Sequence, residues 1–327
     1  MIQKVLVLGG SGFVGRHVCE KLSRRLLQVT VPTRRRRNAA SVMTLPMLEV
    51  AEAHIHDDAT LGTLISQHDA VINLVAILQG SAQAFEHAHV KLAEKIARAC
   101  AQTGVRRLIH VSALGADIRN PDALPSHYLR SKSRAEQVLH QAELDLTLIR
   151  PSVIFGAEDK FLNTFADLQQ IFPVVPLAGA DSRFQPVWVE DVAEAVVACL
   201  GDGLARSSTG QIYEACGPDV FTLRELVQLA GRLSGANHGR GRPVFGLPDA
   251  LARLQAMAME LMPGEPLLSR DNLNSMKVPN VATVHHPGLQ ALGITPASLA
   301  AIAPTYLGRR GWRSRLSERR EAAARKF

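Results

Sequence analysis

Along the first 150 residues, short runs of aliphatic and β-branched residues recur between stretches whose apolar positions fall three and four apart. The short runs suit strands and the longer stretches suit amphipathic helices, so their alternation predicts a parallel sheet with crossover helices. Strands are expected at Lys4 to Leu8, Gln28 to Thr33, Leu48 to Ile55, Ala70 to Val75, Arg107 to Ser112 and Leu146 to Arg150. The clearest helices run from Ser81 to Thr103 and from Ser126 to Ala142. Ser126, directly after Pro125, is placed to start the second one, because its hydroxyl can accept from an N–H that the first helical turn leaves free.

After Pro151 the alternation becomes irregular, with prolines at 173, 176 and 186 and helical stretches near Glu158, Glu190 and Thr222. The expected architecture is α/β: a doubly wound parallel sheet of Rossmann type, with a smaller, partly interleaved C-terminal α/β domain over the carboxyl ends of the strands, where open sheets place ligands. The expected division is 1–156, 157–308 and a basic tail at 309–327. Between Pro248 and Pro263, Leu251, Leu254, Met257 and Leu261 share one helical stripe. Core packing is the simplest reading of the stripe, with a membrane interface or a partner protein as the other two.

Composition narrows the class. Hydrophobic residues make up 46% and charged residues 20% of the 327, ordinary for a globular protein, while aromatics at 5% leave the core to aliphatic side chains. The net charge is +7, but from Arg309 onward eight Arg or Lys face two Glu, so the tail holds six of the seven positive charges. The body is thus nearly neutral, which argues against a nucleic-acid-binding face. With Leu307, Trp312, Leu316 and Phe327 between its charges, the tail suits an anionic membrane surface, an acidic partner or plain solvent.

Cys19, Cys100, Cys199 and Cys216 are scattered without metal-ligand spacing, so no metal site is expected and a reducing compartment is. Cys19 reads as core filler. A strand beginning at Lys4 leaves no room for a leader, and the longest apolar run, Ala70 to Leu78, falls far short of the roughly 20 residues needed to cross a bilayer. A cytoplasmic location without a transmembrane span is expected.

The first strand runs into Gly9-Gly10-Ser11-Gly12-Phe13-Val14-Gly15, which opens a helix. In that context Gly9 serves a tight turn, Gly12 lets backbone approach a pyrophosphate, and Gly15 permits close packing of helix on strand. The helix start offers free N–H groups to phosphates. Sites for NAD commonly place a carboxylate at the end of the second strand for the ribose hydroxyls. Here Lys21 to Leu48 contains no Asp or Glu, and Thr33 and Arg34 stand at that place, followed by Arg35, Arg36 and Arg37. A guanidinium attracts a 2′-phosphate that a carboxylate repels, so NADP(H) is expected over NAD(H). Asp57 and Asp58 are candidates for the adenine amino group or, equally, for capping the next helix. Asn73, Leu74, Val75 and Ala76 are expected to line the diphosphate-ribose face.

Tyr128 and Lys132 stand four apart and share a helical face. Lowering a tyrosine from pKa about 10 to neutrality takes roughly 4 kcal/mol. One cation about 4 Å away supplies that order of energy at an effective dielectric near 20. Tyr128 would act as general acid or base, Lys132 would lower its pKa and hold a ribose, and Ser112, ending the fifth strand, would orient the reacting oxygen.

These residues, with Arg150-Pro151 and Val189-Glu190-Asp191-Val192, resemble the extended short-chain dehydrogenase/reductase superfamily. Within it, His110-Val111-Ser112, Tyr128 to Lys132, Ile154-Phe155-Gly156, Glu158-Asp159, Phe161-Leu162-Asn163 and Gln185-Pro186-Val187 are similar to the nucleotide-binding accessory subunit of respiratory complex I. Glu265-Pro266, Arg270-Asp271, Pro287-Gly288-Leu289 and Leu292-Gly293-Ile294 extend that likeness into the second half. The resemblance implies that Pro151, Ser152 and Val153 approach the nicotinamide amide through their backbone. It further implies a resident NADPH without an established reaction, and a membrane complex as partner, which would place the protein peripheral to the inner membrane.

The sequence departs from active members in its short interval from Ser112 to Tyr128 and in the lack of an Asn between Ser81 and Thr103, where His89 stands as a relay candidate or, more simply, a packed histidine. Two readings therefore stand: a cofactor-binding, assembly or redox-sensing component, and an NADPH-dependent oxidoreductase, epimerase or dehydratase acting through Ser112, Tyr128 and Lys132.

Overall fold

A computed structural model describes residues 2–201, 208–261 and 266–308. Six strands come from the first half: β1 (Lys4–Leu8), β2 (Gln28–Thr33), β3 (Leu48–Glu52), β4 (Ala70–Asn73), β5 (Arg107–Val111) and β6 (Asp145–Pro151). A seventh, β7 (Ile212–Ala215), comes from the second half and pairs in parallel with β6. The order across the sheet is β7-β6-β5-β4-β1-β2-β3, all parallel. The chain winds outward in both directions from β1 and β4, so the carboxyl ends of these two strands bound the crevice in which such folds bind dinucleotides.

Near-continuous aliphatic strands are buried on both faces, as a parallel sheet requires. Helices α1 (Phe13–Arg24) and Val189–Ala198 cover one face, packing Val18, Leu22, Val192 and Val196 against Val5, Val7 and Val31. On the other face Leu61, Ile65, Leu92, Ile96, Ala135 and Leu139 meet Leu6, Leu8 and Leu108. The four cysteines are all buried, and burial pushes the Cys19 thiol up to about 12, in keeping with core filler.

The expected helix over 81–103 is present but interrupted. Ala82–Phe85 is followed by a π-helical stretch, Glu86–Lys91, and then by Leu92–Thr103. The helix His127–Gln141 starts as expected, with the Ser126 hydroxyl accepting from the Leu129 N–H.

Among the described residues beyond 153, three short strand pairs join 154–155 to 187–188, 183–184 to 221–222 and 175–177 to 244–246. Helices Leu162–Ile171, Leu223–Leu233 and Leu299–Leu307 close two small clusters around Phe155, Leu226 and Val227. The stripe expected to face the core does the opposite. On the helix Asp249–Glu260 the residues turned inward are Ala252 and Ala256, while Leu251, Leu254 and Met257, with Leu261 just beyond, are exposed. Among the described residues no helix is long and apolar enough to cross a membrane. The basic tail from Arg309, with Trp312, Leu316 and Phe327, lies outside the described residues, as do Pro263 and Glu265.

Candidate dinucleotide site

The glycine loop is built so that side chains cannot enter it. Gly9 has φ +83, and a Cβ there would stand 3.1 Å from the backbone at Leu74 and Val75. Gly15 is stricter, because its Cβ would lie 2.2 Å from the Gly9 carbonyl oxygen and 2.6 Å from Gly10. The turn closes through Gly10 N–H to Val7 O (3.2 Å) and Gly12 N–H to Gly9 O (3.0 Å). Gly12 then starts α1 in extended backbone, with no side-chain cap and no acidic residue in the first turn. The N–H groups of Phe13, Val14 and Gly15 are therefore left for a ligand at the positive end of the helix. Ser11 is partly buried beside them and Gly12 is exposed.

Thr33 ends β2 buried, its hydroxyl donating to the Arg35 carbonyl (3.2 Å). Arg34 to Arg37 are exposed, and Arg35, Arg36 and Arg37 line an open recess of about 410 Å³ with Glu52. Arg34 lies toward His56, whose ring stacks on His87 at 4.2 Å; burial first, then the charges of His87, Lys95 and Arg34, hold His56 below its ordinary pKa. Asp57 caps the helix Asp58–Ser66 through the Thr60 N–H (2.8 Å), and Asp58 pairs with Lys95 and Arg98. Both carboxylates are thus engaged locally. Leu74 N–H continues the sheet to Leu8 O (2.9 Å), Leu74 and Val75 are half-buried and Ala76 is exposed.

Asn73 links β4 to β5. Its side-chain oxygen accepts from the Val75 N–H (3.1 Å), and its amide nitrogen donates to His110 Nδ1 (3.0 Å). The proton on His110 therefore sits at Nε2, a buried atom without a partner.

Ser112 follows β5 and Lys132 reaches the Val111 carbonyl at its end, with Tyr128 one helical turn before Lys132, but the electrostatics differ from the expectation. Lys132 is fully buried and donates to the Val111 carbonyl (2.8 Å), and burial lowers its pKa to about 8. Tyr128 is half-buried, and burial pushes its phenol up to about 12. The Tyr128 pKa is thus raised, not lowered, because partial burial disfavours the phenolate, while Lys132 directs one of its three donors to a carbonyl. The Ser112 hydroxyl is buried with neither partner nor solvent.

His89 is the packed histidine of the two alternatives. Its Nε2 accepts from the Ile77 N–H (3.1 Å), so Nδ1 carries the proton and donates to Ser131 Oγ (2.8 Å). Burial, then the charge on Lys132, lowers its pKa to about 3, and its ring stands edge-on to Tyr128.

The stretch after β6 is also occupied by the chain. Leu114 N–H donates to the Pro151 carbonyl (2.9 Å) and Ser152 N–H to the Ala215 carbonyl (3.0 Å). The Ser152 hydroxyl (2.6 Å) and the Val153 N–H (2.9 Å) both donate to Asn280 Oδ1. Arg150 forms a buried two-point pair with Glu136, at 3.0 and 2.6 Å. Asp271, from the same distant segment as Asn280, accepts from the His127 (2.7 Å) and Tyr128 (3.0 Å) N–H groups and so caps the helix that carries Tyr128 and Lys132. The sequence marks Asp271 only as part of a motif, and no local signal points to Asn280.

The profile of the NAD(P)H-binding family matches residues 9–203. Over 317 residues the chain is 30% identical to the mitochondrial NADH dehydrogenase [ubiquinone] 1 alpha subcomplex subunit 9 of Arabidopsis thaliana, covering 92% of this chain and 76% of the relative. The chain belongs to this family. The mouse protein of the same name is 31% identical over 302 residues, covering 90% and 76%. Among solved structures, an NADPH-dependent quinone oxidoreductase of Escherichia coli complexed with NADPH superimposes with TM-score 0.71 at 17% identity, over 93% of this chain and 99% of that one. A dTDP-glucose 4,6-dehydratase of Streptomyces venezuelae with NAD bound gives 0.68 at 21%, over 93% and 95%. At such identities these two attest the fold, and the glycine loop of this NAD(P)H-binding family member is the loop whose shape a Cβ at Gly15 would destroy.

Proposed function

We propose that this family member holds NADP(H), in preference to NAD(H), as a resident nucleotide within a membrane-bound NADH dehydrogenase assembly. The observation that carries the reading is the uncapped start of α1, backed by Gly9 and Gly15, beside exposed Arg34 and a recess that Arg35, Arg36 and Arg37 line with Glu52. The diphosphate would lie on the N–H groups of Phe13, Val14 and Gly15, with Gly9, Ser11 and Gly12 giving it room and Leu74, Val75 and Ala76 flanking it. Thr33 and Arg34 would take the 2′-phosphate, and Asp57 and Asp58 would stand at the adenine. The nicotinamide is the group that would supply hydride chemistry when bound. Ser112, Tyr128, Lys132, Pro151, Ser152 and Val153 would surround that end.

A resident role suits these residues better than turnover, since the Ser112 hydroxyl is buried away from solvent and the Tyr128 phenol is held neutral. The assembly is supported by the relatives, each named as NADH dehydrogenase [ubiquinone] 1 alpha subcomplex subunit 9. We assign the nucleotide to a unit at 1–156, whose sheet the helix Val189–Ala198 and β7 complete, and contacts with the assembly to the rest of 157–308 and the tail.

Calorimetry on Arg34→Ala tests the cofactor choice. NADPH is expected to weaken by about tenfold or more, a loss of roughly 1.4 kcal/mol, and NADH by much less. Equal losses for both would overturn the 2′-phosphate assignment.

A further inference from the structure

A dinucleotide laid across the crevice places its adenosine half toward β1 to β3 and its second nucleotide toward β4 to β6. The two halves of this crevice differ in what they leave open. On the first side, the start of α1 is uncapped and Arg34 to Arg37 are exposed. On the second side, the groups able to address a carboxamide or a ribose are buried or already have a partner in the chain, Lys132 through one of its three donors. Lys132 is on Val111 O, the Pro151 carbonyl on Leu114 N–H, and the Ser152 hydroxyl and Val153 N–H on Asn280 Oδ1, while the Ser112 hydroxyl is sealed. Tyr128 remains there as one neutral hydroxyl.

The segment 269–288 does much of this holding, and it is tied down along its length. Asp271 caps the Tyr128 helix, and Val278 packs where a Cβ on Gly115 would come within 3.1 Å. The Asn280 carbonyl accepts from Gln185 N–H (2.9 Å), the Thr283 hydroxyl donates to Glu214 (2.9 Å), and His286 meets Arg150 (3.3 Å). Asn280 is thus a carboxamide, presented by an anchored strap, on the donors nearest the second half of the crevice.

We propose that the site recognises the phosphorylated adenosine diphosphoribose portion of its nucleotide and is indifferent to the nicotinamide ring and its oxidation state, because the Asn280 carboxamide already takes the Ser152 and Val153 donors. This inference rests on the nucleotide-binding reading above and narrows it. Two redox forms that bind every conformation equally bias the protein to the same extent, so the chain registers that nucleotide is present and not whether it is reduced.

Titration calorimetry of the full chain with NADPH, NADP+ and 2′-phospho-ADP-ribose tests this. Dissociation constants within about threefold of one another are expected. A wider spread, with NADPH or NADP+ ahead of 2′-phospho-ADP-ribose, overturns the inference and leaves nucleotide binding intact; no binding of any of the three overturns both. The same series on Asn280→Ala frees the two donors, and the dinucleotides are expected to gain about fivefold or more over 2′-phospho-ADP-ribose. Because all three ligands meet the same variant, an unchanged ratio removes Asn280 from the account whatever the variant's stability.

Discussion

His89 illustrates how a single buried ring fixes both its tautomer and a pH limit. The Ile77 N–H claims one nitrogen and Ser131 the other, which leaves no nitrogen free to relay a proton. In the folded chain its pKa of about 3 lies below the ordinary 6.5, so between these values the unfolded chain binds the extra proton and stability falls as pH drops below about 6.5. At pH 5 the cost from this one group is about 2 kcal/mol. Urea midpoints at pH 7 and pH 5 are expected to lie closer together in His89→Gln than in the parent, and an equal gap would contradict the neutral buried ring. At this scale the sequence was half legible. The glycine loop and the Ser112, Tyr128 and Lys132 positions are local patterns that spacing reveals, whereas the direction of the Tyr128 shift depends on burial, which is not written in the spacing.

The helix His127–Gln141 receives two caps, one readable and one not. Ser126 is adjacent in sequence, but Asp271 arrives from 144 residues away and takes the His127 N–H. Asp271→Ala is expected to cost about 1 kcal/mol, as loss of an N-terminal cap does, and to speed hydrogen exchange at the His127 and Tyr128 amides. Exchange unchanged at those two positions would show that the carboxylate does not hold them. The π-helical stretch at Glu86–Lys91 was also illegible, since helical periodicity does not register one wider turn. β7 was missed for a similar reason. Its four residues are too few for an alternating signal, and it exists through pairing with β6.

Across the molecule, the helical period of Leu251, Leu254 and Met257 was legible but the side it faces was not. Small Ala252 and Ala256 let the helix Asp249–Glu260 sit close to its neighbours on that face, which leaves the larger side chains outside with Phe245 and Leu267. Leu254, 56% exposed, is therefore expected to tolerate Leu254→Ala within about 0.5 kcal/mol, as surface sites do, where a core leucine would lose roughly 2–5 kcal/mol. A thermal or urea titration separates these two outcomes directly.

The place of β7 at the rim of the sheet also governs the order of events at the ribosome. The strand that shields β6 is made some sixty residues after it, so a nascent chain that has emerged only to Gly156 presents β6 as a bare edge of unpaired amides and carbonyls. Such an edge is a template for wrong partners. Synthesis must therefore proceed past Ala215 before the nucleotide-binding half can become a finished, self-sufficient body.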